Sequence, residues 1–152
     1  PFLQKFISKK TGSFVNTEGE VVGKHEGIAF YTIGQRKGLN IGGPGEAWFV
    51  VKKDPTKNQI TVVQGESHPA LYSSSLSATE ISWVGDAPSQ IPYRCQAKTR
   101  YRQKSVDCEI YAIDEEKKTV DVRFDLPEKA VTPRQSIVFY KDEICLGGGL
   151  IV

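Results

Sequence analysis

The chain has 152 residues, 39% of them hydrophobic and 25% charged, with a formal net charge of +2 at pH 7. That balance fits a globular protein of one domain or two small ones, and it leaves no global field that would select nucleic acid or a membrane. Any basic site must therefore be local, and no run of 18 apolar residues is available to span a bilayer.

Near the N-terminus, Phe2, Leu3, Phe6 and Ile7 recur on one helical face before Lys9-Lys10 and Gly12. The segment over residues 1–11 reads as the end of a helix that begins upstream. A start at Pro1 with no Met in the chain also points to a piece of a longer protein, and no signal pattern is present. Ser13-Phe14-Val15 and Glu20-Val21-Val22 flank Asn16-Thr17-Glu18-Gly19, a hairpin signal. Residues 28–33 predict a third strand. Ala47-Trp48-Phe49-Val50-Val51 predicts a fourth, apolar on both faces and so central. Asp54-Pro55-Thr56-Lys57-Asn58 is a turn, after which Gln59-Ile60-Thr61-Val62-Val63 pairs back. These pieces form a small β-rich domain with its linker over residues 12–75.

Residues 64–75 are polar and broken by Gly65 and Pro69. His68-Pro69-Ala70-Leu71-Tyr72 predicts a loop or single turn. Beyond it, residues 79–84, 93–101, 106–113, 119–124 and 136–140 predict short strands. Their spacing suggests a closed barrel or sandwich over residues 76–152. The fold class is mainly β.

Between the third and fourth strands, Gly34-Gln35-Arg36-Lys37-Gly38 leads into a glycine-rich turn through Gly45. Glycines let backbone N–H groups approach a ligand closely. Gln35, Arg36 and Lys37 at its mouth suit an anionic partner, although a hairpin loop with solvated charges has the same pattern. Neither phosphate-loop nor dinucleotide glycine spacing is present. Read as a strand, residues 98–103 put Lys98, Arg100 and Arg102 on one face, with Thr99, Tyr101 and Gln103 on the other. Such a stripe can meet a phosphate backbone, with Tyr101 stacking or donating its hydroxyl. The alternative is a solvated barrel face with Tyr101 in the core. Thr132-Pro133-Arg134-Gln135-Ser136 is a turn entering a strand, with Gln135 at its tip.

Catalytic groups are not evident. Glu115-Glu116 and Asp142-Glu143 lie in turns, and His25 reads as a structural hydrogen-bonding residue. Cys95, Cys108 and Cys145 are odd in number and far apart in sequence, which argues for a reducing compartment. All three are expected to be buried apolar residues. No Cys-x-x-Cys occurs, His25 and His68 lack ligand neighbours, and no metal is expected.

Four runs carry a resemblance. The first is Tyr31-Thr32-Ile33-Gly34-Gln35-Arg36-Lys37-Gly38-Leu39-Asn40-Ile41-Gly42-Gly43, preceded by Gly23-Lys24-His25-Glu26-Gly27. The second is Lys98-Thr99-Arg100-Tyr101-Arg102-Gln103, and the third Ala130-Val131-Thr132-Pro133-Arg134-Gln135-Ser136. The fourth is Val138-Phe139-Tyr140 with Cys145-Leu146-Gly147-Gly148-Gly149. In this order the chain resembles the C-terminal part of the tRNA-specific 2-thiouridylases, the MnmA/TrmU family.

The resemblance implies a six-stranded barrel like the second domain of elongation factor Tu. It implies tRNA contacts at Arg100, Tyr101 and Gln135; Gln35, Arg36, Lys37, Lys98, Arg102 and Arg134 are, by their polarity and placement, candidates to face the same tRNA. Arg134 and Asn40 stand where the family usually has glycine. An arginine excludes a left-handed backbone at low cost, so loop geometry is where this chain departs from the pattern. The parent enzyme would thiolate wobble uridine 34 in the cytoplasm, using ATP with magnesium and a persulfide-carrying sulfur-relay protein. Its ATP domain and both catalytic cysteines would precede Pro1, so no catalytic residue or cofactor is expected in this chain, and the fragment alone should be inactive. A non-catalytic, translation-factor-like β-barrel that binds RNA or protein is the alternative.

Overall fold

The computed structural model describes residues 10–100 and 103–152. The helix end expected over residues 1–11 falls almost entirely outside them. The chain divides into two compact units, the first ending at Leu71 and the second running over Tyr72–Val152.

The first unit is a four-stranded sheet built from β1 (Gly12–Val15), β2 (Val21–His25), β3 (Trp48–Asp54) and β4 (Gln59–Gln64) in the order β2-β1-β4-β3. The hairpin between β1 and β2 forms as expected. Asn16 accepts hydrogen bonds from the Glu18 and Glu20 backbone N–H groups at 3.0 and 2.9 Å, which tightens its turn. β4 pairs antiparallel with β3 and parallel with β1. Phe14, Tyr31, Leu39, Val50, Ile60 and Val62 make the core.

Two expectations are corrected here. Residues 28–33 are not a strand: Ile28–Phe30 is a 3-10 turn, and Phe30 is 49% exposed. Tyr31 anchors the segment instead. It is buried edge-on against Phe14, with ring centroids 5.2 Å apart, and its hydroxyl accepts from the Glu26 N–H at 3.2 Å. β3 is also not central but lies at the end of the strand order. Its outer edge is partly satisfied by the glycine loop, since Gly34 N–H donates to the Val50 carbonyl (2.7 Å) and Val50 N–H to the Gln35 carbonyl (3.0 Å). Tyr31 and Leu39 of the same loop share a core cluster with Val50. The loop thus supplies cover that the sequence pattern attributed to a flanking strand.

His25 is the structural residue expected. It is 1% exposed. Its Nδ1 accepts from the Gly27 N–H at 3.0 Å, so the ring proton sits on Nε2, which donates to the Asn58 carbonyl at 3.0 Å. This fastens the end of β2 to the turn before β4.

The second unit is the expected closed six-stranded barrel. Its strands are β5 (Tyr72–Trp83), β6 (Tyr93–Lys98), β7 (Val106–Asp114), β8 (Thr119–Lys129), β9 (Ser136–Lys141) and β10 (Ile144–Ile151), in the order β10-β5-β8-β7-β6-β9. Period-two alternation fills the interior: Leu76 and Ala78, Cys95 and Ala97, Cys108 and Ile110, Val120, Val122 and Phe124, Ile137 and Phe139. Each buried Val, Leu, Ile or Phe side chain here contributes about 1.5–3 kcal/mol of transfer free energy.

The closing strand β10 carries Gly147-Gly148-Gly149. A Cβ on Gly148 would sit 2.5 Å from the Ile137 carbonyl oxygen, and one on Gly149 would sit 2.5 Å from the Thr79 carbonyl oxygen. The glycines therefore let β10 approach β9 and β5 closely enough to shut the barrel. Cys145 corrects a further expectation: it lies on β10 yet is exposed, whereas Cys95 and Cys108 are buried. It sits two residues from the tight turn that opens β10, opposite Tyr140 and beyond the barrel's packed interior.

Candidate nucleic-acid interface

β6 stops at Lys98, not at Tyr101. Thr99 and Arg100 lie in a bend, so Arg100 does not share a strand face with Lys98 as the expected stripe required. Tyr101 and Arg102 lie outside the described residues. Lys98 is half-buried, and its Nζ stands 5.2 Å from the centroid of the Tyr140 ring, a cation–π contact. Arg100 keeps its side chain 43% exposed.

The physical cause of the bend is Gln103. Its Oε1 accepts from Thr99 N–H (2.9 Å), the Thr99 hydroxyl (3.2 Å) and Arg100 N–H (3.1 Å). Its Nε2 donates to Glu128 Oε1 at 2.6 Å. Thr99 and Glu128 are 2% and 7% exposed. A strand would give those backbone donors to a neighbouring strand, but here a side-chain amide takes them. The sequence reading left Gln103 on a strand face and did not single out Glu128. No local pattern marks it, because its burial and its partner 25 residues away are set by tertiary packing.

The second candidate turn, residues 132–135, leads into β9. Gln135 N–H donates to the Thr132 carbonyl (3.3 Å), with Pro133 and Arg134 between. Arg134 has φ 72°, the conformation of the third residue of a type II turn, where glycine is preferred. So the arginine adopts the left-handed backbone that its side chain disfavours. Asn40 in the glycine loop is also left-handed, with φ 55°, a region asparagine tolerates. Two bonds tie the turn to the end of β10: Arg134 N–H to the Ile151 carbonyl (2.7 Å) and Ile151 N–H to the Gln135 carbonyl (2.8 Å). Both side chains, Arg134 and Gln135, are exposed.

The barrel topology relates these two places. β6 and β9 are antiparallel neighbours, with Lys98 opposite Val138. The bend leaves the last residue of β6, and the turn enters the first residues of β9. Arg100 and Gln135 therefore emerge from the same end of the barrel on adjacent strands.

In the first unit, Gln35 spends its side chain on its own loop. Its Oε1 accepts from Thr32 N–H and its Nε2 donates to the Lys37 carbonyl, both at 2.9 Å. Arg36 and Lys37 are exposed. They border an open depression of about 480 Å³ that also meets Leu39, Asn40, Glu46 and Trp48. Among the described residues, no group of three His, Cys, Asp or Glu side chains is placed to hold a metal ion. No helix among them is long and apolar enough to cross a membrane.

Comparison with known proteins agrees with this two-part architecture. A family profile described as "tRNA methyl transferase PRC-barrel domain" matches residues 1–64, and one described as "Aminomethyltransferase beta-barrel domain" matches residues 73–151. A protein of Protochlamydia amoebophila named tRNA-specific 2-thiouridylase MnmA is 54% identical over 150 residues, 99% of this chain and 39% of its own length. Proteins of the same name from Alkalilimnicola ehrlichii and Proteus mirabilis are 49% and 47% identical over 99% of this chain, which covers 42% and 41% of them. The chain thus spans about two fifths of the length of these curated relatives.

Proposed function

Because the chain belongs to the tRNA-specific 2-thiouridylase family, matching its C-terminal part, we propose that it is the tRNA-holding portion of an enzyme that thiolates wobble uridine 34. The observation that carries this reading is near-half or greater identity to proteins of that name across 99% of the chain. The barrel end supports it. An arginine on a bend and a glutamine on the adjoining turn suit a ribose-phosphate backbone, where charge supplies affinity and neutral hydrogen bonds fix register.

In this reading Arg100 meets a phosphate, Tyr101 stacks or donates beside it, and Gln135 adds a hydrogen bond. Arg36 and Lys37, with Lys98, Arg102 and Arg134, contribute further positive charge toward the same polyanion. ATP with magnesium and the persulfide relay belong to the rest of the enzyme. The described residues offer neither a cluster of acids for the metal nor a Ser-Gly-Gly-x-Asp-Ser run for the nucleotide, so no chemical step is assigned to them. The reaction would take place in the cytoplasm, where its tRNA substrate resides.

The test is reconstitution. The 152-residue chain with ATP, a persulfide donor and tRNA should form no 2-thiouridine by mass spectrometry, whereas the protein in its full natural length should form it. Thiouridine above a no-protein control from the chain alone would overturn the division of labour. None from the full-length protein would overturn the activity.

A further inference from the structure

Glu128 is the one acidic residue among the buried polar side chains described. A carboxylate at 7% exposure is costly unless its oxygens are engaged. An apolar residue of similar volume commonly serves a core as well as a buried charge or better. Barrel stability alone therefore gives little reason for an acid here. Its partners suggest another. Glu128 Oε1 accepts from Gln103 Nε2 at 2.6 Å, and Arg100 Nη2 stands 4.0 Å from the same oxygen. Gln103 in turn collects Thr99 N–H, the Thr99 hydroxyl and Arg100 N–H. One carboxylate thus fixes the backbone of the bend through the amide and faces the guanidinium that the bend carries.

We propose that Glu128 is a positioning residue for tRNA binding: through Gln103 it sets the bend, and through its charge it orients Arg100 toward the docked phosphate. The proposal rests on the reading that Arg100 contacts tRNA. Glu128 itself does not touch the RNA. At 4.0 Å the ion pair is loose, and with 43% of its side chain exposed Arg100 keeps donors open to a phosphate. A preorganised arginine pays less ordering entropy when it binds than a free one.

The experiment is a double-mutant cycle on tRNA affinity, using the protein in its full natural length at a temperature well below each variant's melt. Arg100→Ala is measured first. If it leaves affinity unchanged, the contact reading fails and this proposal fails with it. If it weakens binding, Glu128→Ala and Gln103→Ala should each weaken binding roughly threefold to tenfold, the scale of one hydrogen-bonded side chain. In the Arg100→Ala background the same substitutions should change affinity little, because the group they position is gone. The exchange Gln103→Glu with Glu128→Gln keeps one carboxylate and one amide and should recover most of the loss, and it also serves should Glu128→Ala fold poorly. An unchanged affinity for Glu128→Ala beside a weakened Arg100→Ala would overturn the positioning role while leaving the contact in place. Equal losses with and without Arg100, or no recovery in the exchange variant, would overturn it too.

Discussion

The sulfurs of Cys95 and Cys108 lie 3.8 Å apart, directly opposite each other across the β6–β7 register. The two cysteines are distant in sequence and adjacent in the barrel core. Their shared hydrogen bond, with burial adding to it, pushes the Cys108 thiol well above its usual range. Reactivity follows the thiolate and its access, and only Cys145 is exposed. A maleimide or disulfide reagent should label the folded chain once, at Cys145, and the other two only after denaturation. Fast labelling of Cys95 in the native protein, located by peptide mapping, would contradict this core.

Arg134 and Asn40 hold φ values of 72° and 55°, in the left-handed region that favours glycine. A left-handed backbone costs an ordinary residue about 1–2 kcal/mol, and glycine's extra unfolded-state entropy returns about 0.5–1 kcal/mol of that. Arg134→Gly should therefore stabilise the barrel by up to about 1 kcal/mol. Asn40→Gly should be nearly neutral, since asparagine tolerates this region. Denaturant melts decide it; a destabilised Arg134→Gly would mean that the arginine side chain holds the turn.

Arg94 and Asp125 form a two-pronged pair at 2.6 and 2.5 Å on the barrel surface. The guanidinium's hydrogen bonds hold the Asp125 carboxyl below the usual aspartate range. A depressed folded value means the stabilisation is complete above the unfolded value, about pH 4, and is lost as pH falls below it. Both groups are well exposed, so the contribution is small. The melting difference between wild type and Asp125→Asn should stay constant from about pH 8 to pH 5 and narrow below about pH 4. A difference that did not narrow at all as the pH is lowered below about 4 would contradict the assignment.

The barrel was legible because its strands alternate: Val120, Val122 and Phe124 all point inward, as period two requires. β10 was missed because Gly147-Gly148-Gly149 carries no side-chain pattern, although those glycines are what let the barrel close. Residues 28–33 misled because a β-prone run can equally line a core from a turn when one residue, here Tyr31, is the anchor. The end of β6 was hidden for a different reason. Gln103 ends the strand, and its partner Glu128 is 25 residues away in the chain. No local rule contains that pairing. Motif matching found Arg100 and Gln135 as site candidates, but the bend that presents Arg100 belongs to tertiary structure.

The most direct test of the interface is tRNA affinity against salt concentration for the protein in its full natural length, its Arg100→Ala variant and its Gln135→Ala variant, with thermal melts alongside. A phosphate contact acts through counterion release, so Arg100→Ala should weaken binding by about 1–3 kcal/mol and reduce the salt slope by about one unit, with little change in the melt. Gln135→Ala should cost about 1 kcal/mol and leave the slope unchanged. Unaltered affinity and slope for Arg100→Ala, with a melt lowered by many degrees, would show that Arg100 serves the barrel through Glu128 and that this end of the barrel does not hold tRNA.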